Sequence, residues 1–337
     1  MPVRGFALVL VLWIMSILMI MASSFALTMR RESVVVAAIK NNAEASAVAE
    51  SGLVLAQLML LHPEPVLRWR ANGSIYQITD TALLGTDNAE LRVRLLSEAG
   101  KIDINKADAK LLAELLAHAP ILDDKQREQL VGAWLDWRDA DDLLNLNGAE
   151  KKEYLAAGLR YQPRNKPFQT VDELQLLLGM NETLYEWLVP LVTVYSGGAT
   201  VDKNVASREV LQILPDAELE LIDAYMIERL QSTQQGLPEP IPPSASLTAG
   251  SLPASQPGAQ AGQTQGTAIT VVAEAMLEDG ASAALTAVIR RGGDAKGQPF
   301  QVLEWQRNMP GTESLFADRI GASPLTELLV KHYAESK

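Results

Sequence analysis

The chain contains no cysteine, which excludes disulfides, thiolate metal sites and cysteine nucleophiles. Histidine is nearly as scarce. His62, His118 and His332 lie far apart in sequence, so a histidine-rich metal centre is not expected. Proline is missing from Val3 to Leu61, and no charged residue stands between Phe6 and Met29. The catalytic signatures are missing too: there is no P-loop, no G-x-S-x-G, no dinucleotide fingerprint and no His–carboxylate metal motif. Gly292-Gly293-Asp294 follows a strand pattern but opens no helix, so it reads as a turn. An enzyme is therefore not expected. Basic charge is in the minority, with a net charge of -12 and a pI near 4.8, and such a chain repels nucleic acid on average.

At 337 residues, the chain is long enough for two or three folded units, and a hydrophobic content of 48% supplies a substantial core. The uncharged run from Phe6 to Met29 would span roughly 36 Å as a helix, enough for a hydrocarbon core of ~30 Å. Arg4 precedes it, and Arg30 and Arg31 follow it. Three readings compete: a cleaved secretory signal cut near Ala22–Ala26, a plain signal anchor, and a pilin-type signal whose apolar segment stays with the mature protein. Retention is favoured by what comes next. Ala45, Val48, Gly52, Leu55 and Met59 recur at spacings of three and four, a narrow apolar seam suited to partner helices. One unbroken helix is expected from Phe6 to Leu61, ending before Pro63. The flanking arginines are too evenly matched to set the orientation.

From Ile75 to Ser97 the helical pattern breaks, and Glu90 to Leu95 alternates as a half-exposed strand. Residues 101–231 read as helical, with apolar periods at 107–116, 125–137, 171–178 and two more within 201–231. A weak internal repeat aligns KIDINKADAKLLAEL from Lys101 with TVDKNVASREVLQIL from Thr200. In each copy an Asp or Asn suited to capping precedes an apolar helix, as at the start of a helix-hairpin-helix unit. Residues 232–268 form a Pro/Gln/Gly-rich loop of low complexity. Period-two runs then follow at 269–277, 281–291 and 300–306, separated by Asp-Gly and Gly-Gly turns that indicate hairpins. Their natural partner is the strand near residue 90, which makes the helical region an insertion within one sheet. The expected division is 1–5 leader, 6–29 membrane part of the long helix, and 30–100 the rest of that helix with the first strands. After it come 101–231 helical insertion, 232–268 loop, 269–310 C-terminal strands and 311–337 tail.

Asp136, Asp139, Asp141, Asp142, Glu150 and Glu153 crowd one short stretch. Hard oxygen donors at irregular spacing suit calcium, although Leu143 and a misplaced Gly exclude an EF-hand. The alternative is a solvated acidic loop in which Asp139 pairs with Arg138 or a helix end. Helix-hairpin-helix units also bind DNA through hairpin amides facing phosphate. The candidate hairpins here, Leu178-Gly179-Met180-Asn181 and Leu214-Pro215-Asp216, hold one Gly between them and an acid. A membrane-anchored periplasmic DNA receptor is therefore the second functional reading.

A leader ending in Gly5 before Phe6-Ala7-Leu8 resembles the prepilin-peptidase site of pilins and pseudopilins. The order of Asp136-Trp137-Arg138-Asp139-Ala140-Asp141, Gly148-Ala149-Glu150, Tyr154, Asn165-Lys166-Pro167-Phe168 and Val171-Asp172-Glu173-Leu174 resembles the K-type minor pseudopilins of type II secretion systems. Ala287-Val288-Ile289-Arg290-Arg291 and Leu303-Glu304-Trp305 are similar as well. The resemblance implies an α+β fold: a pilin-like long N-terminal helix on a small antiparallel sheet, with a large all-α, helix-hairpin-helix-like insertion. It implies cleavage between Gly5 and Phe6 by a prepilin peptidase, with methylation of the new terminus. It implies a single pass through the inner membrane, with the N-terminus cytoplasmic and the bulk periplasmic. It also implies a non-catalytic role, starting or capping the pseudopilus tip with I- and J-type minor pseudopilins for export of folded proteins, without nucleic acid. Most pilin-like subunits carry Glu at the fifth mature position. Here that position is Leu10, which fits a tip subunit. Calcium binding in the insertion carries over to Asp136, Asp139, Asp141 and Glu150, with Lys151 standing where an acid is common.

Overall fold

The structure, a computed structural model, describes residues 6–80, 84–86, 88–120, 122–214, 218–243, 267–292, 298–307 and 314–317. Helix α1 runs from Phe6 to Leu60 without a break, as a proline-free sequence allows. Its polar side chains do not disturb it: the hydroxyls of Ser16, Thr28 and Ser33 donate to the carbonyls of Leu12, Ser24 and Met29 one turn back. Such back-bonding satisfies a hydroxyl where no water is at hand. Leu8–Leu60 is long and apolar enough to cross a membrane, and its most apolar window is wholly unburied.

The last four turns of α1 behave differently. Ala45, Val48, Ala49, Gly52 and Ala56 are buried, and the helix lies on strands of the chain's own sheet. Small residues let the two backbones approach. A Cβ at Gly52 would sit 2.8 Å from the Cβ of Ala273 and 3.1 Å from Cδ1 of Leu91. The seam expected to meet partner helices is thus filled within the chain. Leu91, Val93, Val271 and Ala273 reach it with no entropy lost to association.

The sheet has five antiparallel strands: β1 Asn72–Ile78, β2 Ala89–Ser97, β5 Ala268–Leu277, β6 Ser282–Arg291 and β7 Phe300–Arg307. They lie in the order β1-β2-β5-β6-β7. β2 and β5 are in register from Ala89 opposite Leu277 to Ser97 opposite Ile269. The chain therefore leaves the sheet at the end of one strand and returns at the start of its neighbour. Odd-numbered residues of β2 and β5 face α1. The outward Thr270, Val272 and Glu274 are buried as well, so β5 is covered on both faces. The β5–β6 turn uses Gly280 at φ +88°. Gly293 and Asp294 of the expected next turn lie outside the described residues.

Between β2 and β5 sits the helical region. Its elements are β3 Ile102–Asp103, α2 Ala109–Ala117, α3 Asp124–Arg138, α4 Lys151–Ala156, α5 Glu182–Leu188, β4 Val192–Thr193, α6 Arg208–Ile213 and α7 Leu219–Gln234. Its core gathers Leu112, Leu116, Trp134, Trp137, Leu188 and Val210. β3 and β4 pair in parallel, Ile102 with Val192 and Asp103 with Thr193. Glu98, 2% exposed, joins this unit to the sheet. Its carboxylate accepts from Thr193 Oγ1 of the insertion and from Thr270 Oγ1 of β5, and it pairs with Lys101 at 2.8 Å.

Several elements differ from expectation. The 171–178 period is a 3-10 turn, Val171–Leu176, cut short by Gly179 at φ +93°. In the repeat, Asp103 and Asp202 do not cap helices. Each folds an Asx turn instead, accepting from Asn105 N at 2.9 Å and Asn204 N at 3.0 Å. The caps are the next polar positions of the aligned copies, Asp108 and Ser207, which accept from Leu111 N and Val210 N. α7 continues into the expected loop, where Thr233 receives Asn72 Nδ2 and the Leu237 carbonyl receives Arg70. Within the expected tail, Leu315 and Phe316 are buried.

Filling the helix–sheet contact should be costly where filling the outer face is not. Gly52→Leu is expected to lower the thermal unfolding midpoint of the full chain, by about 1–3 kcal/mol of overpacking. Val54→Leu, at a site 66% exposed, should leave it unchanged. Circular dichroism melts check both.

Candidate functional site

α3 is started by a capping box: Asp123 accepts from Gln126 N at 2.7 Å, and Gln126 Oε1 accepts from Asp123 N at 3.0 Å. Its far end delivers Trp134, Asp136 and Trp137 to the interior, all at most 1% exposed. The two indoles are held by neighbours. Trp134 Nε1 donates to the Ile104 carbonyl at 3.2 Å, and Trp137 stacks on Phe168 with centroids 6.2 Å apart. Asp136 thus sits in an apolar wall with no exposed surface.

The loop after α3 folds back over it. Asn145 donates to Asp136 Oδ1 from its main chain at 3.0 Å and from Nδ2 at 2.6 Å, and Nδ2 also reaches Asp139 Oδ2 at 3.1 Å. Asn147 takes φ 58°. Gly148 lies against Asp136 Oδ2 so closely that a Cβ would collide with it, and a Cβ at Gly132 would stand 2.6 Å from Gly148 N. The loop closes only because both positions are glycine. Glu150, 7% exposed, then begins α4, with its main-chain N–H donating to Glu153 Oε2 at 3.0 Å. Asn165, at φ 51°, binds the loop from outside, donating to the Asp141 carbonyl and to Asp142 Oδ1, each at 2.8 Å.

Among the described residues, the buried side-chain oxygens without a hydrogen-bond partner are Asp136 Oδ2, Asp139 Oδ1, Glu150 Oε1 and Asn165 Oδ1. All four belong to this one loop system. Buried acceptors of this kind cost on the order of 1–3 kcal/mol each, more when charged. Electrostatics agree. Burial, and then the charges of Asp136, Asp139 and Asp142, push the Glu150 carboxyl up to about 7. Asp139 is raised by burial first, then by Asp136 and Asp141, against a lowering bond from Asn145.

Of the four residues singled out by sequence, the fold gathers Asp136, Asp139 and Glu150. Asp141 stays exposed, with a carboxylate oxygen accepting from Leu143 N at 2.9 Å. Asp141 is thus solvated, whereas Asp136 and Glu150 are buried and Asp139 is half-buried at the end of α3. Arg138 does not pair with Asp139; it donates to the carbonyls of Ile104 and Ala107. Asn145, Gly148 and Asn165 were not singled out as site residues. Gly148 and Asn165 stand in stretches that carry the family resemblance, and Asn145 is signalled only by its residue type. No set of three or more His, Cys, Asp or Glu side chains among the described residues is placed so that it could hold a metal ion. The unpaired set includes an amide oxygen and borders main-chain carbonyls, which are donors of the kind hard cations use. In the hairpin considered for DNA, Asn181 is spent on capping α5, accepting from Leu184 N at 2.9 Å. Pro215 and Asp216 lie outside the described residues, as does Gly5 of the expected processing site. Phe6 is the first residue of α1.

Residues 89–197, from β2 through this site to β4, match the family model described as Type II secretion system (T2SS), protein K. A type II secretion system protein K of Klebsiella pneumoniae is 29% identical over 243 residues, covering 66% of this chain and 74% of the relative. Over these stretches the chain is similar to protein K of type II secretion systems. Its protein K relatives include one from Dickeya chrysanthemi, 38% identical over 72 residues, covering 21% of this chain and 19% of the relative. Another, from Pectobacterium carotovorum subsp. carotovorum, is 35% identical over 65 residues, covering 19% and 20%. Among solved structures, a chain of the GspK-GspI-GspJ complex from the enterotoxigenic Escherichia coli type 2 secretion system is similar at 17% identity and TM-score 0.49. That match covers 83% of this chain and 99% of the other.

The buried carboxyls set a pH dependence. The folded chain keeps a proton on Glu150 that the unfolded chain releases, so stability is full at low pH and lost as pH rises from about 4.5 through about 7. In chelator, the melting midpoint of the full chain should fall between pH 5 and pH 8. Glu150→Gln should flatten that fall; an unchanged pH profile in the variant would refute the assignment.

Proposed function

We propose that this chain is a protein K family member, a structural minor pseudopilin that works by assembly and not by catalysis. The observation that carries the reading is α1. Its first half is a bare apolar rod fit for lipid, and its second half anchors a sheet and a helical insertion in water. In this reading the chain crosses the inner membrane once, with the N-terminus in the cytoplasm and the sheet and insertion in the periplasm. A prepilin peptidase cuts between Gly5 and Phe6, and the new terminus is methylated. Its partners are the I- and J-type minor pseudopilins. The insertion departs from the sheet at β2 and would block a further subunit from stacking above, which suits the tip of the pseudopilus in the export of folded proteins.

The acidic pocket serves the same structural role. Calcium would be held by Asp136, Asp139 and Glu150, with Asp141 near by, and would supply the positive charge that three crowded carboxylates lack. Lys151 opens α4 with its side chain exposed. Asn145, Asn165 and Gly148 position the loop around the ion.

Deletion of the gene should abolish export of folded proteins in the parent strain, and the purified chain should co-elute with the I- and J-type subunits. Secretion that continues at normal yield without the gene would contradict the reading. Calcium at millimolar concentration should raise the melting midpoint at pH 8 by several degrees and should do nothing for Asp136→Asn.

A further inference from the structure

The outer face of the sheet, away from α1, carries a charged pair at its centre. Arg92 of β2 and Glu274 of β5 are direct cross-strand partners, and they are 9% and 7% exposed. Two buried charged side chains of this kind seldom offset their own desolvation unless their donors and acceptors are used. Here a single short segment uses several of them. Glu274 accepts from Leu315 N with one oxygen and from Ser314 Oγ with the other, at 2.7 Å. Arg92 donates to the Leu315 carbonyl at 2.8 Å, and its guanidinium lies 4.4 Å from the centre of the Phe316 ring. Arg92 is itself steadied by Glu90 at 3.1 Å.

The pair thus reads both main-chain groups of one residue and the aromatic side chain of the next. Leu315 and Phe316 are 5% and 0% exposed. The segment brings its own shape. Ser314 Oγ accepts from Phe316 N at 3.1 Å, and the Ser314 carbonyl accepts from Ala317 N at 3.1 Å. It joins no strand, so side chains of the sheet hold it, not ladder hydrogen bonds. We propose that this face is a peptide-binding site, that Ser314-Leu315-Phe316 is its resident ligand in cis, and that it accepts in trans a segment that folds the same turn and presents Ser, an apolar residue and Phe. The resident segment competes with any such partner. Its release uncovers Arg92 and Glu274 on a face otherwise closed.

The test uses the full membrane-anchored chain in detergent, ended after Pro310, with a labelled synthetic peptide of residues 311–318 and binding to empty micelles subtracted. Saturable binding is expected. It should weaken at least about tenfold when the peptide carries Phe316→Ala or the chain carries Arg92→Leu, the scale of one lost cation–π contact with its burial. The uncut chain, with its site filled, should bind at least tenfold more weakly than the shortened one. No saturable binding to a shortened chain that still melts cooperatively would overturn the proposal, as would equal binding to the uncut chain. If the shortened chain does not fold, a protease site inserted after Pro310 is cut after folding. Retention of the released tail through gel filtration, with displacement by excess peptide, supports the site. Immediate loss of the tail without rebinding refutes it.

Discussion

One helix has to satisfy two surroundings, and the rest of the molecule follows from how it does so. From Leu8 to Met29 the large apolar side chains of α1 are exposed, an arrangement that water would not tolerate and that lipid favours. From Ala45 to Ala56 the same helix turns small residues to a sheet. The change of environment occurs within a continuous run of hydrogen bonds, with Arg30, Arg31 and Glu32 near the crossover. Whatever the sheet carries is thereby joined to the apolar half of α1 through one continuous helix, with no linker between them.

The sheet is completed only by a chain that comes back after a long excursion. β2 and β5 are neighbours in space, and the whole helical region lies between them in sequence. Two features make that return precise enough for a nine-residue register. The parallel β3–β4 pair brings the ends of the first half of the excursion together, and the buried Glu98 ties that pair to Thr270 of β5. Because β5 is buried on both faces, it also needs a second cover besides α1. Leu315 with Phe316 supplies part of it.

Much of this was legible in the sequence. A proline-free apolar run announces α1, and period-two runs broken by Asp-Gly and Gly-Gly announce β5, β6 and β7 to within one or two residues. The insertion followed from the need of those strands for a partner near residue 90. What was hidden depends on contacts between distant residues. α4, with six residues, is too short to show a helical period, and β1 carries only seven residues with Gly73 among them. The seam at Ala45–Met59 was visible, but a pattern of small residues cannot tell a partner in the same chain from one in another. In the acidic pocket, residue types pointed to Asp136, Asp139 and Glu150. The closeness of Gly148 to Asp136 and the part played by Asn165 emerge only when the loop is folded.

The account rests on α1 being kept whole, and the mature N-terminus tests this most directly. Mass spectrometry of the protein from cells with and without a prepilin peptidase should find N-methyl-Phe6 in the first and not in the second. A mature chain that begins near Leu27 would remove the lipid half of α1 and contradict the account.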